Sequence, residues 1–210
     1  MKQIREPRRK VLAMLGTLTG LFAVQRSLQA ADLLETPKAT EGPFYPRESM
    51  RPKDVDNDLV KVDGVVEEAG GEIIMLNGRV TEADGSARAG LRVEIWQCDV
   101  NGKYLHPGDS RDIAYDAGFQ GFGHDMTNAN GEYSFRTIKP TRYPGRTPHI
   151  HIKVLEGDNE LLTSQFYIDG EPQNSKDRIF RRLSSEQAAA VSMRFSAGDT
   201  WPETTVDIVV

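Results

Sequence analysis

From Glu72 to the end of the chain, apolar residues fall in short runs divided by turn signals. IIMLNGRV (73–80), LRVEIWQC (91–98), EYSFRTI (132–138), HIHIKV (149–154), LLTSQFYI (161–168) and TTVDIVV (204–210) are rich in β-branched and aromatic residues. Each is bounded by Gly, Asn, Asp or Pro, the pattern of strands separated by turns. ADGSARAG (83–90) reads as a polar turn, and NANG (128–131) places Asn-Gly ahead of a strand. Residues 99–130 are long, irregular and Gly-rich, and loops of that length in a compact domain usually serve function. SSEQAAAVSMRF (184–195) carries the helical pattern, with Ser184 three residues before Gln187 in capping-box spacing. Many short strands and one late helix predict an all-β chain, an antiparallel β-sandwich with an N-terminal extended arm.

HIHIKV also sorts its residues by face. Side chains alternate along a strand, so Ile150, Ile152 and Val154 share one face, and His149 and His151 share the other. The aliphatic face belongs to a core, together with Val93 and Ile95 of the preceding run.

The first 70 residues differ. Lys2, Arg5, Arg8, Arg9 and Lys10 precede a mostly apolar stretch, Val11–Val24, and Leu28-Gln29-Ala30 offers small-residue cleavage before Ala31. That order reads as an export signal over 1–30, and PRRK resembles the twin-arginine class. The apolar stretch is too short to span a bilayer, so no stable membrane anchor is expected after cleavage, and the mature chain is expected in the periplasm or secreted. Residues 31–70, with prolines at 37, 43, 46 and 52, read as the arm, and 71–210 as the sandwich core.

The first 30 residues hold six basic residues and one acidic one, so their removal shifts the net charge from −5 to about −10. An acidic surface argues against nucleic-acid binding. Cys98 is the single cysteine, so no intrachain disulfide forms and stability rests on the core.

There are four histidines, at 106, 124, 149 and 151, and neither a cysteine pair nor HExxH. The common zinc patterns are therefore absent. Tyr143 lies six residues before His149 in a Pro-Gly turn, and Arg146 lies three before it. Two imidazoles beside a phenol suit a hard trivalent ion such as Fe(III), since phenolate is a hard anionic donor.

Five segments together resemble the intradiol ring-cleavage dioxygenases, specifically the protocatechuate 3,4-dioxygenase-like group. They are TPKATEGPFYP (36–46), VEIWQCDVNGKYLHP (93–107), GFQGFGHDMTNANGEYSFRTIKP (118–140), and RYPGRTPHIHIKV (142–154) with LLTSQFYIDGEP (161–172). The resemblance implies non-haem Fe(III) held by Tyr104, Tyr143, His149 and His151, with Tyr143 the phenolate that departs when substrate binds. It implies catalytic roles for Arg146, beside the bound ring, and Gln165, and a substrate pocket shaped by Gly42, Pro43 and Tyr45. It further implies a catechol substrate and O₂, a cis,cis-muconate product and no organic cofactor. A homo-oligomer or a related partner subunit is left open. The chain departs from the family at Thr147-Pro148, where Pro-Ala is frequent, at His124, where arginine is common, and at Cys98, where alanine is common. NGRVTEADGSARAGLRVEIW with NANGEYSFRTI also resembles transthyretin-like modules that bind without chemistry. That alternative accounts for the strands and not for Tyr104, Tyr143, His149 and His151 together.

Overall fold

A computed structural model describes residues 32–210; the expected export signal, 1–30, lies outside the described residues. Among the described residues nine strands form two sheets: β1 (Ile73–Thr81), β2 (Arg92–Trp96), β3 (Phe122–Met126), β4 (Glu132–Ile138), β5 (His149–Glu156), β6 (Asn159–Ile168), β7 (Ser192–Met193), β8 (Glu203–Thr205) and β9 (Ile208–Val209). One sheet has the order β4-β1-β8, with β9 also pairing with β1. The other has the order β3-β2-β5-β6-β7. The long strands pair antiparallel, as expected, whereas the short C-terminal strands β7, β8 and β9 pair parallel with β6 or β1.

The alternation in HIHIKV decides which face of β5 is buried in the core. Ile150, Ile152 and Val154 are fully buried between the sheets, with Val93 and Ile95 of β2, Phe166 of β6 and Leu76 and Phe135 from the opposing sheet. Burying one such side chain contributes about 1.5–3 kcal/mol, so the three aliphatics of β5 together contribute about 5–9 kcal/mol to closing the sandwich.

Three details differ from the sequence expectation. First, the irregular stretch 99–130 contains strand β3, which pairs with β2 from Trp96↔Phe122 to Arg92↔Met126. Its polar sequence FGHDM sits at the sheet edge and lacks an alternating apolar signal. Second, the arm is not extended throughout, since it makes a 3₁₀ turn at Glu48–Met50. Farther along, Leu59 and Val60 are fully buried in the core, and the Leu59 N–H donates to the Arg136 carbonyl. Third, the helix α1 spans only Ser185–Ala190. Its capping box is present, with the Ser184 side chain accepting from the Gln187 N–H and the Gln187 side chain accepting from the Ser184 N–H. Val191, Ser192 and Met193 leave the helix because Val191 and Met193 bury fully against the core as β7 pairs with β6, and that burial outweighs local helix propensity.

Candidate metal centre

The outer face of the second sheet carries the site, and strand register assembles it. Trp96 of β2 lies opposite His151, His151 lies opposite Gln165 of β6, and His149 lies opposite Tyr167. With a period of two, these five side chains project from one face.

Both histidines are buried, and their Nε2 atoms face each other at 3.1 Å. The Thr147 carbonyl lies 2.7 Å from His149 Nδ1. A carbonyl only accepts, so Nδ1 carries the proton and His149 Nε2 presents a bare lone pair. Burial, reinforced by the charge of Arg146, pushes the His149 pKa down to about 3, and the Thr147 carbonyl offsets only part of this. Burial, then His149 and Arg146, hold His151 well below the usual imidazole range. Both rings are therefore neutral, the form in which imidazole binds a metal. Trp96 stacks flat on His151, with ring centroids 4.8 Å apart and an interplanar angle of 9°.

Two phenols close on this pair from different loops. The Tyr143 ring is 5.6 Å from the His149 ring, the Tyr104 ring 6.3 Å from the His151 ring, and the two tyrosines 5.4 Å from each other. The Tyr104 loop is drawn to the Tyr143 loop at Gly102, where a Cβ would run into the Arg142 carbonyl. Asp109 accepts the Tyr104 N–H at 2.9 Å and is paired with Arg111, which fixes the loop from below. Burial raises the Tyr104 hydroxyl well above the ordinary phenol range, and burial also raises Tyr143, against the opposing pull of Arg146. The Tyr104 hydroxyl is buried with no hydrogen-bond partner.

Arg146 is fixed at two of its nitrogens. Nε donates to Asp177 at 2.7 Å, Nη2 donates to Gln165 Oε1 at 2.6 Å, and Nη1 stands 3.4 Å from His149 Nε2. Gln165 in turn donates to the Thr40 carbonyl at 2.8 Å, tying the arm to the site. Gly42, at φ 76°, packs its bare Cα beside His151, where a Cβ would lie 3.3 Å from Cε1.

This donor set fits a metal ion. Two ligands about 2.1 Å from one ion and at right angles stand about 3 Å apart, close to the observed Nε2 separation. The unpartnered Tyr104 hydroxyl is a buried polar atom that a cation would satisfy. Among the described residues no group of three or more His, Cys, Asp or Glu is placed to hold a metal, so a centre here draws on the phenols.

The Dioxygenase family pattern (Dioxygenase_C) matches residues 40–210, more than half of the chain. The chain belongs to the intradiol ring-cleavage dioxygenase family. It is 36% identical over 167 residues to the protocatechuate 3,4-dioxygenase beta chain of Burkholderia cepacia, an alignment spanning 75% of this chain and 70% of that protein. It is 30% identical to the protocatechuate 3,4-dioxygenase alpha chain of Pseudomonas putida, over 74% of this chain and 80% of that protein. It is also 30% identical to catechol 1,2-dioxygenase 1 of Acinetobacter lwoffii, but spans only 51% of that protein. Among solved structures, the dioxygenase domain of a dioxygenase–carbohydrate-binding protein fusion from Streptomyces sp. SirexAA-E matches with TM-score 0.62 and 29% identity, covering 84% of this chain and 97% of that chain. An intradiol ring-cleavage dioxygenase from Tetranychus urticae shares the fold at TM-score 0.67 and 21% identity, over 84% of this chain and 94% of that chain.

In this intradiol dioxygenase, the residues expected from sequence converge unevenly. Tyr104, Tyr143, Arg146, His149, His151 and Gln165 come together, and Gly42 abuts them. Pro43 is exposed in the turn beside Gly42. Tyr45 reaches the cluster only through Trp96, against which it packs at 4.9 Å, and its hydroxyl donates to the buried Glu94 at 2.6 Å. The arm residue that lies against the phenols is Phe44, stacked on Tyr104 at 4.6 Å. Sequence reading missed Phe44, Trp96 and Asp177. Trp96 was legible from the i, i+2 spacing that would place it on a polar strand face, whereas Asp177 arrives through tertiary structure alone. His124 lies opposite Glu94 on β3, and Cys98 packs with Trp96, Tyr104 and Phe122.

Proposed function

We propose that this chain is a non-haem Fe(III) enzyme that opens the ring of protocatechuate or a related catechol between its two hydroxylated carbons, consuming O₂ and giving a cis,cis-muconate. The observation that carries this reading is the pair of neutral, buried imidazoles facing each other at 3.1 Å beside two phenols, one with an unpartnered hydroxyl. His149 and His151 would hold the metal through Nε2, and Tyr104 and Tyr143 through their phenolate oxygens. Bound there, ferric iron supplies Lewis acidity and activates the bound catechol toward O₂.

The chain's own residues do the rest. Burial favours the neutral phenol at Tyr104, so its deprotonation rests on a nearby cation. Tyr143, half-buried at the edge of the site, is placed to accept a catechol proton at its oxygen. Arg146 presents Nη1 beside His149 Nε2 and stabilises the negative charge that builds on the ring as it opens. Gln165 orients Arg146 and anchors the arm. Trp96 and Gly42 pack against His151, and Phe44 against Tyr104.

The alpha- and beta-chain relatives support a partner subunit or a second copy beside this chain. The basic, apolar and small-residue order of 1–30 supports export to the periplasm or beyond. The transthyretin-like reading is disfavoured by family membership.

The test is the visible spectrum of the purified protein after ferric loading. A tyrosinate-to-iron charge-transfer band, red-brown and altered in Tyr104→Phe, is the expected result. A colourless protein that takes up no iron would overturn the reading.

A further inference from the structure

Asp177 lies outside every segment that the sequence singled out, in the link between the 3₁₀ turns Pro172–Lys176 and Phe180–Arg182. We infer that Asp177 is a positioning residue for ring opening, acting through Arg146; the inference rests on the dioxygenase reading above. Its side chain is fully buried. Oδ1 accepts the N–H groups of Ile179 and Phe180 at 2.9 and 3.0 Å, and Oδ2 accepts Arg146 Nε at 2.7 Å and the Thr147 N–H at 3.0 Å. One carboxylate thus ties the turn after β6 to the residues leading into β5.

The consequence is geometric. A guanidinium is planar and rigid, so fixing two of its nitrogens fixes the third. Asp177 takes Nε and Gln165 takes Nη2, which leaves Nη1 to face the imidazole pair. With Gln165 alone, the plane would swing about a single hydrogen bond and Nη1 would lose its aim. Asp177 also balances the positive charge of a guanidinium that is largely withdrawn from water beside two neutral imidazoles.

A purely structural role for Asp177, holding the turn, makes different predictions. The experiment compares wild type, Asp177→Asn, Arg146→Ala and the double variant, each iron-loaded, for kcat and KM with protocatechuate and with catechol. Loss of a residue supporting a catalytic group typically costs about 10- to 100-fold. Asp177→Asn is expected to lower kcat by that factor in the wild-type background and to change it less than about twofold when Arg146 is already alanine. Equal losses in both backgrounds would overturn the inference. Arg146→Lys keeps the charge but cannot pair with Asp177 and aim at the site together, so it should lose kcat about as fully as Arg146→Ala. Wild-type kcat in Arg146→Lys would also overturn it, and that variant needs no change at Asp177. A readout independent of turnover is the ¹⁵N-resolved Arg146 Nε–H signal of the metal-free protein. It should exchange slowly in wild type and in the control Asn174→Ala, which loosens the same turn through Thr147 without touching Arg146. It should exchange quickly in Asp177→Asn. Fast exchange in wild type would refute the pairing. Absence of turnover in wild type with this signal intact would refute the dioxygenase reading instead.

Discussion

His149 and His151 owe their character to where β5 places them, on the face away from the core yet still buried. Removing either should drop iron content at least tenfold, measured by metal analysis of His149→Ala and His151→Ala; full occupancy in both would refute their assignment. Tyr143 lies at the edge of the site and Tyr104 within it, so their phenylalanine variants should differ. Tyr143→Phe should keep more of its iron and slow anaerobic catechol binding by about 10²- to 10⁴-fold, the usual cost of losing one placed base. Rapid-mixing absorbance reads this directly, and binding at the wild-type rate would show that Tyr143 is not that base. Cys98 stands apart from the chemistry. Burial lifts the Cys98 pKa to about 11, above that of an ordinary thiol, with a hydrogen bond to Thr141 pulling the other way. Buried and held largely protonated at pH 8, Cys98 should resist a disulfide reagent until the protein unfolds. The sign for stability follows. Between pH 9 and 11 the unfolded chain gives up a proton that the folded chain keeps, so this contribution is present below pH 9 and fades as pH rises toward 11.

Among the elements, those with a strict alternation or a local cap were legible from sequence. β5 announced both faces, and α1 announced its start. Ser184→Ala should remove the cap and cost about 1 kcal/mol, a fall of roughly 2–4 °C in Tm for a chain of this size, with the spectrum of the iron-loaded protein unchanged. A spectral change would mean that α1 supports the site, which the contacts here do not suggest. The end of α1 was not legible, because Val191 and Met193 leave it to bury against the core. β3 was hidden because FGHDM has no alternating pattern and finds its partner only once β2 is in place. The buried segment around Leu59 and Val60 was hidden for the same reason, since its polar, proline-containing surroundings give no periodicity.

At the scale of the whole molecule, the sandwich is the support and the site is a seam where β2, β5 and β6 meet the arm and two loops. Tyr104, Tyr143, His149, His151 and Arg146 were singled out through the resemblance of their segments to the family, and the structure brings them together; their hold on iron is what the metal analysis tests. Asp177 was not singled out, because its role depends on a turn that folds back from the far end of β6, and for Trp96 the strand face is readable from spacing while its place on His151 is set by register. The acidic charge of the chain and its apolar core contribute no chemistry of their own, so the central claim stands on ring opening. The direct test is the product formed from catechol under ¹⁸O₂. One catechol and one O₂ should give one cis,cis-muconic acid that gains four mass units over the product made in ordinary oxygen, with one heavy atom in each carboxyl group. No oxygen uptake by the iron-loaded protein, or a yellow semialdehyde from cleavage beside rather than between the hydroxylated carbons, would contradict the account.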